Sequence, residues 1–308
     1  MIAQAILDGL INGAVIGLGA VGVTLTYSIL RFANFAHGEL VSWGAYFAFL
    51  VNIALVSVFV GLGNPIAPFS FGWSLPISLV GAMLLAAALA LLVDALLFGP
   101  LRRRNSAVII LVMASFGAAL ALRNLLEFIF TSAPLYFHSS LQIAMRFPGG
   151  VRATPDQLLA IGAGLVIAIV LHVFLTRTPT GRAMRAVAEN PQLAGVAGID
   201  VRRVIRTVWM LGAALAAVAG VFSGLLVQIR PQMGLDLLLP LFAASILGGI
   251  GSVPGAMLAG IIVGLGEAFA VRLVGAEWRS AVAFVVLVAV LLLRPQGLFG
   301  AGKGSRAS

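Results

Sequence analysis

Cysteine is absent from the 308-residue chain. That excludes disulfides and thiol catalysis and says nothing firm about compartment. Charge is almost as scarce, since only 9% of the residues are Asp, Glu, Lys or Arg, too few to clothe a water-soluble globule. Neither a Walker-type G-x-x-x-x-G-K-[ST] sequence nor an H-E-x-x-H or paired-histidine motif occurs, and His37, His138 and His172 lie far apart. With no clustered polar set to do chemistry, the chain reads as a non-enzyme that carries no metal or cofactor of its own.

What the chain has is apolar residues, 61% of the total. A hydrocarbon core about 30 Å thick needs roughly 20 apolar residues per helix. Nine runs answer that description, at 8–30, 36–60, 73–99, 107–130, 156–176, 207–229, 238–250, 255–274 and 279–293. The fold class is therefore all-α, a polytopic membrane protein of about eight to ten transmembrane helices, some of them discontinuous or re-entrant. The seventh run is short and breaks at Gly248, Gly249, Gly251 and Pro254. It is expected to be a half-helix that enters and leaves the same leaflet. No long polar linker divides the runs, so residues 1–308 form a single domain. The first run has no basic residue before it and is too long for a signal-peptide core, so it is expected to stay in the chain.

Arginine sets the orientation. If 177–206 is cytoplasmic, thirteen of the 19 basic residues fall inside, among them Arg31, Arg102, Arg103, Arg104, Arg294, Lys303 and Arg306. The N-terminus is then outside and the C-terminus cytoplasmic, with a disordered tail at about 301–308. A formal charge of +9 invites a nucleic-acid reading, but the basic residues are spread over membrane-flanking loops without interleaved aromatics. They read as topology signals beside anionic lipid, and no nucleic-acid partner is expected. The outer stretch 131–155 is expected to be a packed loop before it is a partner surface.

Within the spans, the stretch "GLINGAVIGLGAVGV" brings small residues to helical spacing, as close helix packing in lipid requires. Polar residues are the exceptions. Asp94, Glu127 and Glu267 are candidates for a pathway or for interhelical pairing, and Arg123 and Glu127, four apart on one span, are expected to pair with each other. In "NFAHGE", Asn34 can cap a helix and His37 and Glu39 occupy its first turns, where free N–H groups favour negative charge. A helix start at membrane depth suits either a structural cap or a gate. Two broken elements, one at Asn34, His37 and Glu39 and one at Gly248, Gly249 and Gly251, mark the candidate translocation pathway.

The 177–206 loop holds a second signal. Its "TGRAMRAVAEN" can form a short helix with Thr180 as N-cap and Pro191 as terminator, and a second short segment can end at Gly195 or Gly198. Residue composition alone is also compatible with an ordinary connector.

The segment "GRAMRAVAEN", followed by "AGIDV" and a membrane helix, resembles the cytoplasmic coupling loop of ABC importer permeases. With "NFAHGE", "ILGGIGSVPGAMLAG" and "RPQGLFG" in the same order, the chain resembles the permease subunits of branched-chain amino acid importers along nearly its whole length. The resemblance implies that Gly181, Arg182, Arg185, Ala186, Glu189, Asn190, Gly195 and Gly198 engage an ATPase. It also implies a bacterial plasma (inner) membrane, a second permease subunit in a heterodimer, two cytoplasmic ATPase subunits that bind ATP and Mg, and an external solute-binding protein. The general importer signature carries a Glu-Ala-Ala triplet, whereas here Glu189 comes late, after Arg185 to Ala188. Permeases of this look also serve urea and short amides, and a stand-alone secondary transporter or channel is the alternative of another class.

Overall fold

The computed structural model describes residues 2–137, 142–147, 150–293 and 296–299; the tail expected at 301–308 lies outside them. Among the described residues eight helices are long and apolar enough to cross a membrane, and a ninth apolar helix is shorter. They are α1 (Ile2–Leu30), α2 (Ala36–Val58), α3 (Ser74–Val93), which runs through a π-helical turn (Asp94–Phe98) into α4 (Gly99–Arg103), α5 (Val108–Phe130), α6 (Pro155–Arg177), α9 (Val201–Leu226), the short α10 (Met233–Gly248), α11 (Val253–Leu273) and α12 (Arg279–Leu293). Two short helices, α7 (Pro179–Glu189) and α8 (Pro191–Val196), lie between α6 and α9. The all-α membrane reading is borne out, and every expected run carries a helix.

α1 and α9 form the centre, with 72% and 78% of their most apolar stretches buried, against 6% for the span that includes α12. Small residues make that centre possible. Along α1 and α11 glycines oppose one another: a Cβ on Gly264 would come within 2.4 Å of the Gly13 backbone, and one on Gly260 within 2.4 Å of Gly17. In lipid, where apolar burial gives no drive for helices to associate, this close van der Waals contact supplies much of the attraction.

The stretch after α1 turns back before it becomes helical. Arg31 takes a left-handed conformation, φ 59°, and Phe32 is buried with its ring 5.2 Å from that of Phe98, which in turn stacks on Trp209. α2 then starts beside Ser115, whose hydroxyl accepts the N–H of Phe35. Ser115 lies seven residues into α5, so at 1.5 Å per residue α2 begins about 10 Å inside the bundle. A helix start is thus present where "NFAHGE" predicts one, and α2 runs unbroken from it to Val58.

The seventh run differs from expectation. α10 is a single helix of 16 residues, about 24 Å long at 1.5 Å per residue, and its two ends lie at different depths. Its first turn meets the second turn of α2, where Gly234 N–H donates to Ser42 Oγ. Its last turn accepts from the segment that follows α12, Leu298 N–H to Leu247 O. The glycine break therefore forms a tight turn into the antiparallel α11, which packs back along α10. Gly249 and Gly251 sit at φ 91° and 89°, conformations that favour glycine, and this lets the chain reverse in four residues.

The described part of 131–155 is largely exposed but tied down at two places. Leu135 forms a bridge with Ile229, and a two-residue hairpin (β1, Met145–Arg146; β2, Arg152–Ala153) is tied to α1 through Gln4 and Arg152.

Candidate functional site

At one end of the bundle, α7 begins because Pro179 pre-sets the first helical φ and Thr178 Oγ1 accepts the Gly181 N–H. Thr180, the expected N-cap, already lies inside the helix; a proline favours the first helical position, which moves the cap to the residue before it. α7 turns Met184 and Val187 inward, 2% and 1% exposed, and Arg182, Arg185 and Glu189 outward. Gly181 lies against α6 so closely that a Cβ would come within 2.5 Å of the Leu175 Cα. Arg185 Nη1 donates to the Leu175 carbonyl. Ala186 is half-buried in the middle of α7.

Asn190 separates the two short helices and caps the second, its Oδ1 accepting from the N–H groups of Gln192 and Leu193 at 3.0 and 3.1 Å. α8 ends in a turn in which Gly198 N–H donates to Gly195 O with Gly198 at φ 85°. Asp200 then caps α9. Three caps in 23 residues make this stretch a fixed bracket rather than a loose loop.

Sequence reasoning passed over the tip of that bracket. Leu193 is 67% exposed and Val196 89%, two apolar side chains at i,i+3 on one face of α8. The sequence offers only two large apolar residues between Pro191 and Gly198, and nothing in their spacing shows that they are exposed. An exposed apolar pair on a rigid, arginine-flanked mount suits insertion into a protein cleft.

Arg31 connects this bracket to the foot of α2. Its Nη2 donates to the carbonyls of Ala188 and Glu189, each at 3.0 Å, at the C-terminal end of α7 where carbonyls are left free and a cation is favoured. Three residues on, Asn34 Oδ1 accepts the Ala36 N–H at 3.2 Å. Asn34 therefore serves the start of α2 as expected, from one position before the N-cap residue Phe35.

Asn34, His37 and Glu39 are brought together but enclosed, at 4%, 0% and 1% exposure. His37 fills the space left by Gly22, where a Cβ would come within 2.9 Å of its ring. Glu39 is paired across helices with Arg123, whose Nη2 and Nε donate to Oε1 at 2.9 and 3.2 Å. The expected Arg123–Glu127 pair does not form. Arg123 serves the more deeply buried carboxylate on α2, and Glu127 Oε1 accepts instead from Gln232 Nε2 at 2.8 Å. Asp94 pairs with Arg102 at 2.7 Å within the π-turn and α4, and Glu267 with Arg279 at 2.8 Å.

α2 meets α10 at the end opposite the latter's glycine break, so Asn34, His37 and Glu39 are not brought into contact with Gly248, Gly249 and Gly251. A Cβ on Gly38 would come within 2.6 Å of the Gly234 carbonyl oxygen, and one on Gly234 within 2.0 Å of the Gly38 oxygen. The α2 and α10 backbones thus touch near the start of each helix. At the other end of α10, Gly248 packs on Gly255, and Gly251 N–H donates to Thr24 Oγ1 at 2.7 Å.

Residues 5–291 match a family described as the branched-chain amino acid transport system permease component. The high-affinity branched-chain amino acid transport system permease protein LivH of Escherichia coli K12 is 32% identical over 302 residues, covering 96% of this chain and 95% of that one. The corresponding protein BraD of Pseudomonas aeruginosa is 32% identical over 306 residues, covering 96% and 95%. Among solved structures, PsaBC from Streptococcus pneumoniae in complex with Fab aligns over 95% of this chain and 92% of that one, with a TM-score of 0.47 and 14% identity.

Proposed function

The chain belongs to the family of branched-chain amino acid transport permeases, and from that premise we propose how it is driven: α7 and α8 form the element that a cytoplasmic ATPase grips. The protein is a multi-pass membrane permease of a binding-protein-dependent ABC importer, a transport component rather than an enzyme. The ATPase subunits bind ATP and Mg, and an external binding protein delivers substrate. The core pairs this chain with a second, different permease subunit. The N-terminus is outside and the C-terminus cytoplasmic, with 177–206 on the ATPase side. The cargo is a branched-chain amino acid, as the names of the relatives state for those proteins.

The observation that carries this reading is the exposed pair Leu193 and Val196 on a bracket held by Met184, Val187 and three caps. Motion of the ATPases tilts the bracket. Through the bonds of Arg31 the tilt reaches residues 31–35, the foot of α2, and through the Gly38–Gly234 contact it reaches α10. Alternating access then requires only that the nucleotide states favour different positions of α7 and α8.

The test is co-purification. Leu193→Asp with Val196→Asp places two charges in the apolar contact, and the permease is expected to accumulate normally while losing its ATPase subunits. ATPase retention by that double variant contradicts the assignment.

A further inference from the structure

At the end of the bundle opposite α7 and α8, the helices α1, α9, α10, α11 and α12 enclose a cleft of about 300 Å³. Four charged side chains line it: Glu267, Arg279, Arg230 and Asp236. They form two ion pairs, Arg279 Nε to Glu267 Oε2 and Arg230 Nη2 to Asp236 Oδ2, each at 2.8 Å. Val15, Leu237 and Pro240 give it an apolar wall. Arg230, Asp236 and Arg279 are about half exposed, whereas the Glu267 carboxylate is buried, so its charge is the costly one to keep there.

The pairs are incomplete. Glu267 is 1% exposed, Arg279 occupies only its Oε2, and Oε1 has no hydrogen-bond partner among the described residues. A buried carboxylate oxygen left without a donor is costly, and an ammonium group supplies three donors. On the other side of the cleft, Arg230 is about half exposed, with Nη2 on Asp236, and an arginine fork binds a carboxylate well. The first turn of α10 lies at the same place, since Met233 and Asp236 both line the cleft, but the N–H groups of Met233, Gly234 and Asp236 already donate to Arg230 O, Ser42 Oγ and Gln232 O. The lining charges sum to zero, so a lone cation or anion would unbalance the site and a zwitterion would not.

We propose that this cleft is a subsite for a zwitterionic aliphatic amino acid, with Glu267 Oε1 taking the ammonium group, Arg230 the carboxylate, and Val15, Leu237 and Pro240 the side chain. The proposal rests on the reading that the assembled importer carries branched-chain amino acids. It adds where on this chain such a molecule is received after the binding protein releases it.

Because the chain has no cysteine, Ser280→Cys puts a single thiol of this subunit on the cleft wall. The complete importer, with its other subunits freed of cysteine, is labelled with a maleimide in the absence of binding protein. Leucine is expected to slow labelling several-fold, whereas isocaproate, which lacks the ammonium group, and isoamylamine, which lacks the carboxylate, leave the rate unchanged. A thiol at Leu273, exposed beyond the cleft, is expected to react equally with and without leucine. Adding Glu267→Gln removes the protection; where that variant does not assemble, Arg230→Gln, at an exposed position, tests the other end of the ligand. Equal labelling with and without leucine in a complex that takes up leucine overturns the subsite, as does protection that survives both substitutions. A complex that takes up no branched-chain amino acid overturns the functional reading itself.

Discussion

The Arg31 guanidinium donates to the backbone carbonyl of Glu189 at 3.0 Å, joining the end of α1 to the end of α7 across 158 residues of sequence. Arg31 begins the five-residue return into α2, so the bond ties the bracket to the foot of a helix that starts inside the bundle. Force applied at α8 has a short, hydrogen-bonded route inward.

Arg31→Gly is expected to relax the left-handed backbone while deleting the bonds, and so to separate the two roles of this residue. The variant should assemble with its ATPases and hydrolyse ATP, yet move several-fold less substrate per ATP in proteoliposomes. An unchanged ratio of uptake to hydrolysis contradicts the linkage.

Glu39 and Arg123 make the second prediction. Leaving one member of a buried ion pair without its partner costs about 3–5 kcal/mol, so Arg123→Ala should sharply lower the thermal stability of the purified subunit. Glu127→Ala deletes an acceptor for a neutral amide, worth about 1 kcal/mol, and should lower it much less. Equal losses would restore the pairing within α5 that the i,i+4 spacing suggested.

The backbone contact of Gly38 with Gly234 predicts that Gly38→Ala separates α2 from α10 and lowers transport and stability together. Gly117 is the control, since a Cβ there meets nothing within 4 Å. Gly117→Ala in the helix interior should be neutral or stabilise by about 0.5–1 kcal/mol. A melting curve for each variant distinguishes them.

Topology is open to direct labelling, because the cysteine-free chain gives each introduced thiol a clean background. Thiols at Arg103 and Arg185 should react only from the cytoplasmic side and one at the exposed Tyr136 only from outside. Labelling of Arg185→Cys from outside in intact cells would invert the orientation and remove α7 and α8 from the reach of an ATPase.

How far the chain could be read in advance depended on the kind of signal. Spans were legible because lipid demands long apolar runs, and the break before α2 was legible because Asn34, His37 and Glu39 have no place in a lipid-facing helix. Pairing was not: i,i+4 spacing put Arg123 with Glu127, but the choice of partner depended on which carboxylate the packing buried deepest, and α2 supplied Glu39. The depth of α10 was also hidden, because its glycines specify a reversal without specifying where its other end lies. Gly181, Arg185 and Asn190 in the bracket stood out as a motif, whereas Leu193 and Val196 did not, since an apolar residue draws notice only once it is seen to be exposed.

If α7 and α8 transmit the ATPase stroke, Ala186→Pro interrupts the transmission. Proline in the interior of α7 costs about 3 kcal/mol of helix and leaves every spanning helix untouched. The measurement is ATP hydrolysis stimulated by the loaded binding protein, read beside uptake in the same proteoliposomes. The account predicts a subunit that inserts at the normal level but loses ATPase association or stimulated hydrolysis, with uptake lost alongside. Normal association, normal stimulation and normal uptake would contradict it and leave residues 179–196 a connector.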